Sequence, residues 1–202
     1  MKKYIDLYIR INSIDSFKNV LYKIKEFGYK YIGFEEDQIL DKKIEICNLY
    51  RLDYIIRSKK YVPKYKEKTV YATIFENKKE SMEEIKRYKI NIITVYLSKI
   101  NELDEEFINF ISQRRTKIEI LYSDFLYLNY GELKDLIPKI SRIMKYAIKK
   151  GLSPIVSSGI KEEKEIRSPK EVAAFLRCIG IEDAELLLDV KNLKELFVYE
   201  VL

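Results

Sequence analysis

The sequence predicts an α/β fold closed as a parallel barrel, and three observations lead there. Short runs rich in branched and aromatic residues recur along the chain and alternate with amphipathic helical stretches. Several of these runs are apolar at consecutive positions, the pattern of parallel strands covered on both faces. Neither a Gly-rich first strand–helix turn nor a GxGxxG sequence is present, which disfavours the open doubly wound sheets that bind dinucleotides. About eight strands, most followed by a helix, then fit a TIM-barrel-like (β/α) barrel.

The elements follow in order. Tyr4 to Ile9 opens the chain as a strand, and Phe17, Val20, Leu21, Ile24 and Phe27 mark the first helix. Gly28 stands where a left-handed helix end is expected. Strands are read at Tyr31 to Phe34, Leu52 to Ile56, Thr69 to Phe75 and Ile90 to Leu97, with a short helix around Lys42 to Tyr50. Leu103, Phe107, Phe110 and Ile111 give a further helix, and Ile118 to Tyr122 a strand. The clearest helix has Leu133, Leu136, Ile137, Ile140, Ile143, Met144, Ala147 and Ile148 at unbroken three-and-four spacing, closed by Gly151. Pro154 to Ser157 and Leu186 to Val190 complete the strands. The short helix near Lys42 and the single short segment after Lys191 make an irregular barrel the expectation. No repeat or linker divides the 202 residues, so residues 1–202 are read as one domain.

Composition narrows the function. Lys and Arg total 38 against 32 acidic residues, a net charge of +6 that favours polyanionic partners such as RNA only weakly. The 35% charged fraction equally suits the ion-pair networks of a thermophile's surface. No targeting pattern opens the chain, and no apolar run approaches the ~18 residues of a membrane helix. The expectation is a cytoplasmic protein with no membrane partner, whose Cys47 and Cys178 are buried, reduced thiols. Histidine is absent, which removes the usual proton shuttle and the commonest ligand of catalytic zinc, iron or manganese.

Few residues remain to carry chemistry. Glu35, Glu36 and Asp37 follow the second strand, where a barrel enzyme would place a base or magnesium ligands, although a solvated helix start explains them better. Asp6 and Arg10 have the spacing of a structural ion pair. The richest stretch is a strand ending Ser157-Ser158-Gly159, then a charged loop, then Arg167-Ser168-Pro169. Ser168 should cap a helix that starts at Pro169, with Glu171 completing a capping box. Arg167 beside that helix start could fork onto phosphate, or pair with a surface carboxylate.

The strand ending in Ser-Ser-Gly, with Arg-Ser-Pro opening an apolar helix that ends in Ile179-Gly180, resembles the archaeal and eukaryotic ribonuclease P protein component 3 family. Ile118-Glu119-Ile120 and the long helix feeding Pro154-Ile155-Val156 are similar to it as well, so the likeness is good over Ile90 to Leu188. The chain departs from it at Ile160, where a smaller residue is usual, and at Asn91, where an aspartate is expected. The resemblance implies a barrel related to metal-dependent phosphoesterases but lacking their metal site. It implies a non-catalytic chain that binds and shapes the RNA which removes the 5′ leader of precursor tRNA. It implies partners in ribonuclease P RNA, precursor tRNA and other protein subunits, especially one small one. No cofactor belongs to the protein, and magnesium is expected on the RNA.

Candidate RNA contacts are Arg57, Lys59, Lys60 and Lys64, in a basic stretch interleaved with tyrosines, then Arg114, Arg115 and Lys117, and finally Arg167. Ser157, Ser158, Gly159 and Ser168 are expected to build the barrel rim. The main rival is a barrel enzyme for a small phosphorylated substrate, with Arg167 and the helix at Pro169 holding phosphate and Glu35 or Asp37 as base. A pure protein-interaction scaffold is the third reading.

Overall fold

The computed structural model describes residues 4–58, 68–182 and 184–189. Within them seven strands run parallel in chain order: β1 Tyr4–Ile9, β2 Tyr29–Glu35, β3 Asp53–Ser58, β4 Thr69–Ile74, β5 Ile92–Val95, β6 Lys117–Leu121 and β7 Ile155–Ser157. Each strand pairs with the next, from Tyr31 opposite Asp53 to Leu121 opposite Ser157. Just beyond β7 the sheet closes on itself: the Gly159 N–H donates to the Tyr8 carbonyl and the Arg10 N–H to the Ile160 carbonyl, both at 2.9 Å.

The expected eighth strand is the correction. Ala184–Leu188 is a 3₁₀ turn, and Asp189 makes a single antiparallel bridge to Tyr4. The turn packs against both β1 and β7, so the place of an eighth strand is filled by apolar side chains, Ala184, Leu187 and Leu188, rather than by a ladder. A barrel of seven strands with this wedge is irregular, but through the missing eighth strand rather than through the short helix near Lys42 on which the expectation rested.

The helices are set by caps and apolar stripes. Helix α1, Ile14–Glu26, starts where the Ser13 side chain accepts the Ser16 N–H, and it buries Phe17, Val20, Leu21 and Ile24. Helix α2, Leu40–Tyr50, is longer than expected and buries Ile44, Ile46 and Cys47. Helix α3, Lys78–Arg87, has no counterpart in the sequence reading, because only Ser81 and Ile85 are buried on it. Helix α4, Glu105–Gln113, is capped by Asp104; α5, Tyr122–Phe125, is a single turn. Helix α6, Tyr130–Lys149, begins in an Asn129–Glu132 capping box, and α7, Pro169–Cys178, begins in the expected Ser168–Glu171 box. Cys178 is exposed, contrary to expectation, because it ends α7 on the side away from Ala173 and Leu176; Cys47 is buried as expected.

Three apolar clusters result. One joins the outer face of β1 to β3 with α1 and α2, and a larger one joins β5 to β7 with α3, α4, α6 and α7. The smallest lies inside the barrel and includes Ile5, Leu7, Ile55, Val70, Ile92 and Ile155. Two residues further along their strands from Ile55, Ile92 and Ile155 stand Arg57, Thr94 and Ser157. Side chains alternate faces along a strand. The next layer toward the C-terminal mouth is therefore polar.

Candidate nucleic-acid interface

That polar layer is closed on itself. Arg57 Nη1 donates to Glu119 Oε1 at 2.9 Å and to the Leu7 carbonyl at 3.0 Å, and Nη2 to Glu119 Oε2 at 2.8 Å and Thr94 Oγ1 at 2.6 Å. Thr94 and Ser157 each donate a hydroxyl to Glu119 at 2.6 Å, and the guanidinium lies 4.0 Å from the centre of the Tyr8 ring. Arg57 is 4% exposed and Glu119 0%. A fork–fork pair with every oxygen satisfied holds a buried charge without leaving it reactive. Arg57 is therefore not a surface contact for RNA, as the sequence suggested. It shares the inward face of β3 with Ile55, and its partner is a carboxylate inside the barrel.

The mouth above this layer is built from β1, β2 and the segment after β7. Tyr8 donates its hydroxyl to Glu35 at 2.5 Å, Ser58 to Glu36 at 2.8 Å, and Lys43 pairs with Asp37 at 2.5 Å. Burial, then the Glu35 carboxylate, raises the Tyr8 hydroxyl far above its ordinary pKa. The acidic residues of the rival enzyme reading thus already hold partners. Asp6 and Arg10 do not pair with each other. Asp6 is buried and accepts the Ser158 N–H at 2.9 Å and the Tyr8 N–H at 3.3 Å; burial lifts its carboxyl to about 6. Arg10 Nε donates to the Gly159 carbonyl at 2.7 Å and Nη2 to Ser123 at 3.1 Å, with Asp124 at 3.9 Å.

Both side chains therefore hold the Ser157-Ser158-Gly159 turn. Gly159 has φ +64° and a Cβ there would lie 2.9 Å from Leu121 and Ser123 side-chain atoms, so only glycine fits this contact. Sequence reasoning missed Arg10 as the clamp of this turn; the Ser-Ser-Gly triplet was the available signal. Arg10, Lys43, Tyr96 and Lys161 line a cavity of about 560 Å³ at the mouth.

Arg167 faces its own loop. Its Nη1 donates to the Lys164 and Ile166 carbonyls, both at 2.8 Å, while its own carbonyl accepts the Tyr29 hydroxyl at 3.2 Å. Ser168 caps α7 beside it. The candidates at residues 59–67 (Lys59, Lys60 and Lys64) lie outside the described residues.

The third cluster sits at the opposite end. Arg114 and Arg115 end α4 and Lys117 begins β6, which places them at the N-terminal face of the barrel. Arg114 and Arg115 are exposed, with Arg114 5.8 Å from the Phe110 ring centre. Lys117 is buried, so it is not the exposed phosphate contact expected. It lines a cavity of about 410 Å³ with Arg115, Lys150 and Ser153. The sequence candidates therefore do not form one site; they divide between the two ends of the barrel. Among the described residues no group of three or more Cys, Asp or Glu side chains could hold a metal ion, and no helix is long and apolar enough to cross a membrane.

Fold and site together define a (β/α) barrel whose axial carboxylate is neutralised by its own arginine and whose Arg114 and Arg115 stand exposed at the N-terminal end. The sequence matches the family described as RNase P subunit p30 over residues 77–186, more than half of its length, and the chain belongs to that family. The fold is similar to a chain in a cryo-EM structure of archaeal ribonuclease P with mature tRNA, with a TM-score of 0.66 at 15% identity, covering 96% of this chain and 90% of that one. It is also similar to the crystal structure of A. niger ochratoxinase, with a TM-score of 0.52 at 10% identity over 96% and 71% of the two chains. Comparison with curated proteins finds none that matches.

Proposed function

We propose that the chain is a protein subunit of ribonuclease P that binds and shapes the catalytic RNA for removal of the 5′ leader of precursor tRNA. Membership of the RNase P subunit p30 family is the observation that carries this. Geometry supports the non-catalytic part. The carboxylate on the barrel axis is held by Arg57, Thr94 and Ser157 instead of facing a substrate. Residues 1–202 act as one cytoplasmic barrel domain. RNA phosphates meet Arg114 and Arg115, where guanidinium groups stand exposed at the N-terminal face. Other subunits join it, one small subunit in particular, and the magnesium ions of the reaction sit on the RNA.

Binding to an in vitro transcript of the ribonuclease P RNA tests this reading. Saturable binding that weakens log-linearly with salt is expected. An absence of RNA binding, together with turnover of a small phosphate ester, would instead establish the enzyme reading.

A further inference from the structure

A long stretch free of carboxylates runs from the middle of α6 to just past β7. Residues 136–161 hold six lysines and arginines and no aspartate or glutamate, a surplus equal to the net charge of the whole protein. Within it Arg142, Lys145 and Lys149 are all exposed and recur at three-and-four spacing, so they share one face of α6. They span about 10 Å of helix axis. With Pro138, Ser141 and Tyr146 they line a groove of about 430 Å³.

Two ordinary explanations fail here. The first is a surface of mutual ion pairs, such as occur elsewhere on the molecule: Lys23 meets Glu163 at 2.7 Å, Lys99 meets Glu102 at 2.8 Å and Lys164 meets Glu162 at 2.7 Å. Among the described residues, none of the three α6 cations has a carboxylate within ion-pair reach. The second is compensation of the helix dipole, an effect confined to the last turn. That accounts for Lys149 but not for Arg142 and Lys145, which lie one to two turns earlier.

The stripe also continues past the end of α6. Ser112 donates to the Lys150 carbonyl at 2.9 Å, which joins the C-terminal ends of α4 and α6 and brings Lys150 into one cavity with Arg115. Arg115 holds φ 57°, a conformation in which glycine is the usual helix-ending residue, so an arginine occupies this corner at a backbone cost.

We propose that this face, running from Arg142 through Lys149 to Arg115, is a docking track for the phosphodiester backbone of structured RNA. The inference rests on the ribonuclease P subunit reading and adds to it a surface on α6. Three cations set along one helix face, without carboxylates to neutralise them, complement a line of phosphates and carry no base-reading group, so binding there is independent of sequence.

The test uses the full chain and an in vitro transcript of the ribonuclease P RNA, titrated at several salt concentrations. A triple variant, Arg142→Gln, Lys145→Gln and Lys149→Gln, is compared with a charge-matched control on α1 and α2, Lys18→Gln, Lys25→Gln and Lys42→Gln. All six side chains are exposed, and thermal midpoints verify folding. The α6 variant should bind at least about tenfold more weakly at low salt, with a log–log salt slope smaller by about 2 to 2.7. The control should stay within about twofold of wild type. Unchanged affinity and slope in the α6 variant would overturn the proposal. So would an equal loss in the control, which would mean net charge alone, or retained RNA affinity with lost binding to another protein subunit. Wild-type chain with no affinity for the RNA would contradict the subunit reading itself, and the track with it.

Discussion

Arg57 of β3 donates two parallel hydrogen bonds, of 2.9 and 2.8 Å, to Glu119 of β6 across the barrel axis, and both side chains are buried. This pair occupies the layer in which a barrel enzyme places its reactive groups, and its satisfaction is what turns the interior from a site into a core.

Removing one partner should therefore cost more than removing both. Arg57→Met leaves Glu119 buried and uncompensated, and should lower stability by about 3–5 kcal/mol in urea unfolding. Arg57→Met combined with Glu119→Leu should recover most of that loss. A single variant within about 1 kcal/mol of wild type would show that the pair does not hold the barrel.

Asp6 gives a pH signature. Burial raises its carboxyl from 3.8 to about 6. The folded chain then keeps this proton to about pH 6, whereas the unfolded chain releases it near pH 4. A raised acid pKa means that this group's contribution is most favourable below the unfolded value and declines as pH rises through the folded one, by an amount on the order of 3 kcal/mol. Asp6→Asn keeps an oxygen for the Ser158 and Tyr8 N–H groups and carries no charge. The variant's stability relative to wild type should grow between about pH 4 and pH 7. A pH-independent difference would contradict the burial of an ionisable Asp6.

Arg167 and Ser168 should both report on stability. Ser168→Ala removes the α7 cap and should cost about 1 kcal/mol. Arg167→Ala removes two bonds to loop carbonyls and should cost about 1–2 kcal/mol. Affinity for ribonuclease P RNA should stay within about twofold for both when measured well below their thermal midpoints. A selective affinity loss in Arg167→Ala would restore this residue to the RNA contacts that the sequence alone suggested.

The positions of the seven strands, the long α6 and the Ser168 box were legible because each rests on local pattern: consecutive apolar runs, three-and-four spacing and capping chemistry. Helix α3 was not, because its stripe is reduced to Ser81 and Ile85 and most of its residues are charged. The eighth strand was misread because Leu186-Leu187-Leu188 is apolar in either a strand or a 3₁₀ turn. Arg57 was misassigned for a related reason. In a strand apolar on both faces nothing local shows which face is inward, and only the partner on β6, 62 residues away, reveals it. The basic face of α6 was visible in the spacing of Arg142, Lys145 and Lys149, yet it gained meaning only once neighbouring elements proved to offer them no carboxylate.

A subunit that acts through RNA should show itself in the cleavage of precursor tRNA. Ribonuclease P RNA, the other protein subunits and magnesium are assembled with and without this chain, alongside the chain alone, and release of the 5′ leader is timed. Expected are no leader release by the chain alone, weak stimulation when it is the only protein added to the RNA, and strong stimulation once a small partner subunit is present. Leader removal by the chain without any RNA subunit, or a complete assembly equally active when the chain is omitted, would contradict that role.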